Sequence, residues 1–334
     1  MNPTPSVTIA IVSNEDESRI ESCLMHALEQ DYPRELVEIV VADAMSMDAT
    51  REIVLRLAAR DARVRLLDNP ERTRAAALNA IIQHSTGEIV VPMDPGGDYG
   101  RTHVEKCVLA LSEGDGEELV IFPRTSGRTF VERALSAAQK TRLAFAAGAE
   151  LARGAEPAHS LLGAIRRRVF DKVGLYDPEA TVEEDAELSQ RIARAGGTLL
   201  FPREIVVHKT DARSFRELFR QHYLLGRSRA RRAVRERKVP QMGTLAPLVM
   251  FAGFGVLALT SSVQPLTPVA LAAYALATGA AAVRVAREEG AVAMPIAWAA
   301  YPVMHVAHGV GFGAGLVRTL VKPGWRAVPW PTPA

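Results

Sequence analysis

The stretch Val37 to Thr50, "VEIVVADAMSMDAT", decides how this chain is read. An apolar, β-branched run closes on Asp43. A turn of small residues follows, and Asp48 stands where a helix can begin. A strand with so little alternation is covered on both faces, as strands of a parallel sheet are. Working outward, the same rhythm repeats. "VTIAIV" (Val7–Val12) precedes a helix with Ile20, Cys23, Leu24, Ala27 and Leu28 at helical spacing. A helix over Arg51–Ala59 is followed by "VRLLD". A helix over Arg74–His84 leads to "EIVVPM", and one over His103–Leu111 leads to "ELVIF". The pattern predicts an α/β fold: a mostly parallel sheet with helices on both faces. Ligands of such sheets bind beyond the carboxyl ends of the strands. The residues to watch are Ser13–Glu15, Asp43–Asp48 and Asp94–Asp98.

Bulk properties narrow the function. Formal net charge over 334 residues is +2, which gives no case for nucleic acid as a partner. The cations are nevertheless concentrated in "GRSRARRAVRERK" (Gly226–Lys238), a run suited to solvent or to anionic lipid head groups. Cys23 and Cys107 show neither metal nor redox spacing and read as buried, inert thiols. The N-terminus lacks the basic start and long apolar core of a secretory signal, so the N-terminal part is expected in the cytoplasm.

Residues 124–165 are less regular. "VEEDAELSQRIARAGG" then reads as a helix with Leu188, Ile192 and Ala195 on one face, and "TLLFP" and "IVVHK" read as strands. "SFRELFRQHYLLGRSRARRAV" is a basic amphipathic helix with Phe215, Leu218, Phe219 and Tyr223 along one side, fit for a membrane interface. Beyond Thr244 come three apolar segments: Leu245–Leu259, Leu266–Val283 and Ala291–Leu316. The first two approach the roughly 20 residues that cross a bilayer. The third carries Pro302, His305, His308 and several glycines. The positive-inside rule keeps Arg284 and Arg287 in the cytoplasm. A single third span would then put Arg318, Lys322 and Arg326 outside, whereas a kinked or re-entrant one keeps them inside. The side of the C-terminus stays open.

The order of short motifs resembles the family-2 glycosyltransferases, which have the GT-A fold. "VTIAIVSNEDE", "DAMSMDAT", "RAAALNAIIQHSTGEIV", "PMD" and "VEEDAELSQRIARAGG" follow one another as that family's segments do, over about residues 6–230. The "D-x-M-S-x-D-x-T" form and the apolar tail are most similar to the succinoglycan-type exopolysaccharide branch. The resemblance implies a nucleotide-diphosphate sugar donor, UDP-linked, and inverting transfer to a lipid-linked or saccharide acceptor. Asn14, Glu15, Asp43, Arg74 and Asn79 would hold the donor nucleotide. Asp94, helped by Asp98, would hold Mg2+ or Mn2+. Asp185 would be the catalytic base with Glu184 beside it, a role a positioned carboxylate can fill. Gln221, Arg227 and His208 would close over donor and acceptor.

Each residue also has a plainer reading. Asp48 suits a helix cap. Glu184 and Asp185 suit a helix N-terminus. Arg227 suits a lipid contact, and a lone His208 suits a structural role. Three departures from the family pattern matter. Ile11 replaces a proline. Ala44 and Ala49 replace glycines, so the donor loop is expected to manage without φ > 0. Gly96 stands where a second metal ligand is usual.

The expected organisation is a GT-A domain over 1–212, a basic interfacial helix over 213–240, transmembrane helices over 241–320 and a tail over 321–334. This describes a multi-pass inner-membrane enzyme with its catalytic domain in the cytoplasm. It would contact membrane lipids and form homo-oligomers or pair with other glycosyltransferases. The competing reading is a membrane protein that keeps the fold, has lost catalysis and serves as an assembly partner. A soluble nucleotidyltransferase is disfavoured, because no Gly-rich, Lys-bearing phosphate loop is present.

Overall fold

A computed structural model describes residues 4–121, 124–125, 129–144, 161–178, 184–209, 214–236, 253 and 266–321. The chain forms two compact units. One contains Met1–Arg124 and His159–Lys209; the other contains Thr125–Ala158 and Thr210–Trp325.

The first unit is the expected α/β sandwich. In chain order it contains β1 (Val7–Ser13), α1 (Ile20–Leu28), β2 (Val37–Asp43), α2 (Thr50–Ala58), β3 (Val64–Asp68), α3 (Arg74–Gln83), β4 (Ile89–Met93), α4 (His103–Glu113) and β5 (Glu118–Ile121). After the second unit's first helix come β6 (Leu161–Arg166), α6 (Arg168–Val173), α7 (Glu184–Arg194) and β7 (Leu199–Leu200). The sheet order is β3-β2-β1-β4-β6-β5-β7. β1 to β4 are parallel, with Val7 opposite both Val37 and Ile89. β6 runs antiparallel to β4 and β5. β6 lies largely in the region read as irregular and was not expected.

Both faces of the sheet are buried, as the unbroken apolar strands require. Ile9, Ile39, Val41 and Val91 pack against α1, α2 and α4. Ala10, Val40, Ala42 and Val90 pack against α3, α6 and α7. Cys23 and Cys107 are buried in the first layer, and burial pushes both thiols far up in pKa. In "IVVHK", Ile205, Val206 and Val207 lie outside any strand; His208–Lys209 pairs, antiparallel, with Gly97–Asp98.

The second unit is helical: α5 (Phe130–Gln139), α8 (Phe215–Glu236), α9 (Thr267–Glu289) and α10 (Ala293–Val321). Ala134, Leu135 and Ala138 of α5 share a core with Leu218, Ala282, Ala293, Ala297 and Tyr301. α10 runs through Pro302 as one helix. His305 is buried inside this unit. Its Nε2 lies 2.6 Å from the Leu143 carbonyl, which can only accept, so Nε2 carries the hydrogen. Nδ1 therefore accepts from Tyr274 Oη at 2.8 Å.

α8 buries only part of its apolar side. Leu218, His222, Leu225 and Ala230 are buried, while Phe215 and Phe219 remain 37% and 40% exposed. Glycine explains why. A Cβ on Gly311 would collide with the Tyr223 carbonyl, and one on Gly226 with the His308 carbonyl. One on Gly315 would lie 2.6 Å from the Arg227 carbonyl oxygen. α8 and α10 thus touch backbone to backbone, in parallel. The apolar stretch Leu245–Leu259 lies outside the described residues apart from Gly253. Among the described residues α9 alone is long and apolar enough to cross a membrane.

Gly311→Val is expected to force α8 off α10 and to cost about 1–3 kcal/mol, as overpacking does. Thermal unfolding in detergent reads this as a lowered midpoint; an unchanged midpoint would contradict the close approach.

Candidate active site

β2 ends on Asp43, whose side chain is fully buried. A buried carboxylate needs partners, and the loop around it provides them. Oδ1 accepts from Ser13 Oγ at 2.9 Å and Ser46 Oγ at 2.6 Å. Oδ2 accepts from the Ser46 N–H at 2.8 Å and Arg51 Nη1 at 3.1 Å. Burial opposes ionisation, yet these bonds from Ser46, Ser13 and Arg51 hold the carboxyl below its ordinary range. Arg51 also reaches Asp68 at 2.7 Å, tying the tips of β2 and β3 together.

The loop does adopt φ > 0, contrary to the expectation from Ala44 and Ala49. Met45 has φ 57° and Glu15 has φ 54°. The left-handed conformation has moved to non-glycine residues, and hydrogen bonds fix it there. The Glu15 N–H donates to Ser46 Oγ at 2.9 Å, and Glu15 Oε1 accepts from the Met47 N–H at 2.9 Å. Asn14 is exposed, with its backbone N–H directed to Asp16. Asp48 accepts from the Thr50 N–H at 3.0 Å and the Glu17 N–H at 3.1 Å. The N-cap of α2 is Ala49, which has no side-chain cap bond, so Asp48 steadies the turn ahead of the helix instead of capping it.

A second cluster forms between β4, α3 and α7. Thr73 caps α3, and Arg74 follows in the first turn. Arg74 Nη1 lies 3.0 and 2.9 Å from the two oxygens of Asp185 and 3.2 Å from Glu184 Oε1. Its Nη2 is 3.6 Å from Asp94 Oδ1. One guanidinium thus joins the β4 tip to the start of α7. Helical spacing explains the geometry of α7. Glu184, Leu188 and Ile192 share one face, and all three are buried. Asp185, one position on, is turned towards Arg74. Burial pushes the Glu184 carboxyl up despite Arg74. Burial disfavours the Arg74 cation, but Asp185, Asp94 and Glu184 together raise it well above its ordinary value.

The other expected site residues fall elsewhere. Asn79 clamps the backbone of Tyr176, donating to its carbonyl and accepting from its N–H, both at 2.9 Å. That is a scaffolding role. Asp98 does not join Asp94: its side chain is 74% exposed and 3.9 Å from His26. His208 is its strand partner and is also exposed. Gln221 and Arg227 are half-buried on α8, in the helical unit. The meeting of Arg74 with Asp94 and Asp185 was not foreseen, since no spacing in sequence connects residues 74, 94 and 185.

Among the described residues no three His, Cys, Asp or Glu side chains stand at the spacing of a metal site. The cluster still fits a cation by charge. Three carboxylates face one guanidinium, and the buried Glu184 Oε2 has no hydrogen-bond partner among the described residues. Gly96 leaves room at the strand tip, since an added Cβ would meet only Arg19 Nη1 at 3.7 Å. Carboxylate oxygens are the ligands hard dications prefer.

A mixed sheet flanked by helices, with carboxylates gathered at its strand tips, defines the GT-A class. The chain belongs to glycosyl transferase family 2, whose family model matches residues 8–174. It is 30% identical over 314 residues to the succinoglycan biosynthesis protein ExoA of Rhizobium meliloti (strain 1021), covering 92% of this chain and 94% of that protein. The glycosyltransferase AglE of Haloferax volcanii is 26% identical over 229 residues, 67% of this chain and 72% of its own length. Among solved structures, the mannosyltransferase PcManGT from Pyrobaculum calidifontis, in complex with GDP-Man and Mn2+, superposes with a TM-score of 0.60 at 22% identity. That match covers 94% of this chain and 88% of that one, and shows the shared fold.

Arg74→Gln would leave buried carboxylates uncompensated and is expected to destabilise the first unit by about 3–5 kcal/mol; Arg74→Lys should lose less. Denaturant titration checks both. A lowered carboxyl such as Asp43 adds stability that is full above the unfolded pKa of about 3.9 and is lost as pH falls through the folded value. Asp43→Asn should therefore flatten the acid limb of the stability–pH curve.

Proposed function

We propose that the enzyme moves a sugar from a nucleotide-diphosphate donor, UDP-linked, to a hydroxyl of a lipid-linked or polysaccharide acceptor, with inversion. One observation carries the reading: Arg74 brings the strand-tip carboxylate Asp94 and the helix-start carboxylate Asp185 into one cluster. A transferase needs the leaving diphosphate and the attacking hydroxyl to be served within one sugar's width. Membership of family 2 and the likeness to ExoA support the same chemistry.

In this reading the loop after β2 receives the nucleoside, and the buried Asp43, its oxygens held by Ser13, Ser46 and Arg51, shapes that loop from within. The acceptor oxygen attacks the anomeric carbon as the bond to the diphosphate breaks on the opposite face. The hydroxyl proton passes to Asp185. Both Asp185 oxygens accept from Arg74, but a carboxylate offers about four lone-pair positions, so the base can be held and still take a proton. Mg2+ or Mn2+, the cofactor the resemblance implies, would be held by Asp94 and would neutralise charge on the leaving diphosphate. Asp98 has no part in this.

The site would work at the inner face of the cell membrane. The apolar α9 supports this, as do the exposed Leu266, Val269, Leu271 and Leu276 along it. A lipid-linked acceptor would then be at hand. Association with itself or with partner glycosyltransferases belongs to the same reading.

Asp185→Asn is expected to lower transfer about 10²- to 10⁴-fold, the usual worth of a general base, with donor binding kept. The assay is sugar transfer by full-length enzyme in detergent, with donor binding measured in parallel. Undiminished transfer by the folded variant would remove Asp185 as the base.

A further inference from the structure

We infer that α10 does not cross the bilayer but lies along its surface, with both ends on the side of the catalytic unit. The inference rests on the membrane association proposed above, and it concerns the topology of that attachment. The argument comes from what holds each end of α10.

At the N-terminal end, α9 and α10 form an antiparallel pair turned at Gly290. Trp298 Nε1 donates to Thr278 Oγ1 at 3.0 Å, and Tyr274 meets His305 at 2.8 Å. Glu289, the last residue of α9, forms an ion pair with Arg133 of α5 at 3.4 Å. Ala293, the first residue of α10, is buried in the same core as Ala134 and Leu135 of α5. α5 cannot have left the catalytic side. Residues 122–129 alone separate it from β5, far fewer than the roughly 20 apolar residues a span needs.

At the other end, α8 holds α10. Tyr223 abuts Gly311, and Arg227 and Ala230 abut Gly315. α8 begins after residues 210–214, again too few to cross. From Gly226 onward α8 carries Arg227, Arg229, Arg231, Arg232 and Arg235. A helix this cationic does not enter hydrocarbon. The part of α10 pressed backbone to backbone against it is therefore held at head-group level too.

α10 is about 43 Å long and is fixed to the catalytic side near Ala293 and near Gly315, so it runs in the membrane plane. This removes the conflict that the charges posed. Arg284, Arg287 and Arg318 all fall on one side, as the positive-inside rule asks. The occupant of the exposed surface is a bilayer with anionic head groups. The α8 arginines meet the phosphates. Exposed Phe215, Phe219, Val310, Val317 and Leu320 supply the apolar insertion of an interfacial helix pair.

The test uses full-length enzyme in oriented membrane vesicles and a membrane-impermeant maleimide. Glu288→Cys and Arg318→Cys bracket α10 at exposed charged positions, and Leu55→Cys on α2 marks the catalytic side. Both native thiols are buried, so wild type is the blank. All three variants should label at least tenfold faster from the same face. Labelling of Arg318→Cys from the face opposite to Glu288→Cys overturns the inference and leaves the transferase reading intact. Enzyme recovered free of membrane overturns the inference together with the proposed membrane association.

Discussion

A single guanidinium, that of Arg74, stands against three carboxylates, and the catalytic unit is arranged around that fact. Its stem rises from the first turn of α3. Its nitrogens meet Asp185 and Glu184 on α7 and approach Asp94 at the tip of β4. The elements that carry these groups lie far apart in sequence. Burying charge is costly unless partners are supplied, so displacing α3, β4 or α7 from the others would leave a buried charge uncompensated. Asp43 repeats the principle on a smaller scale: a carboxylate taken out of water is paid for by four local donors.

Much of this was legible in the sequence. Parallel strands announce themselves by apolar runs such as "VEIVVA", and the helices between them by their spacing. The strand-tip residues followed from topology alone. β6 was hidden because Leu161–Arg166 contains Gly163 and runs into three arginines, which mimics a loop. The loop after β2 misled in another way. Losing glycine at 44 and 49 suggested losing the left-handed backbone, yet Met45 adopts it, because Asp43 and Ser46 fix the turn on either side. The role of Arg74 was not legible, since an ion pair between residues 74 and 185 leaves no periodic trace.

The helical unit shows that an amphipathic stripe need not be covered by protein along its whole length. Phe215, Leu218, Phe219 and Tyr223 form an obvious stripe on α8, but protein covers Leu218 and leaves the two phenylalanines exposed. Glycines on two helices, not the aromatic stripe, choose the packed side. Small residues allow backbones to approach closely where larger ones cannot.

α5 has a consequence for anyone dividing this chain. It lies between β5 and β6 in sequence, yet its buried face, Ala134, Leu135 and Ala138, belongs to the core made with α9 and α10. Cutting after residue 212 would remove those partners and strip an apolar surface bare in the middle of the piece retained. The chain has no clean seam between its sheet unit and its helical unit. The two are woven from the same strand of chain, and each must be made for the other to be kept.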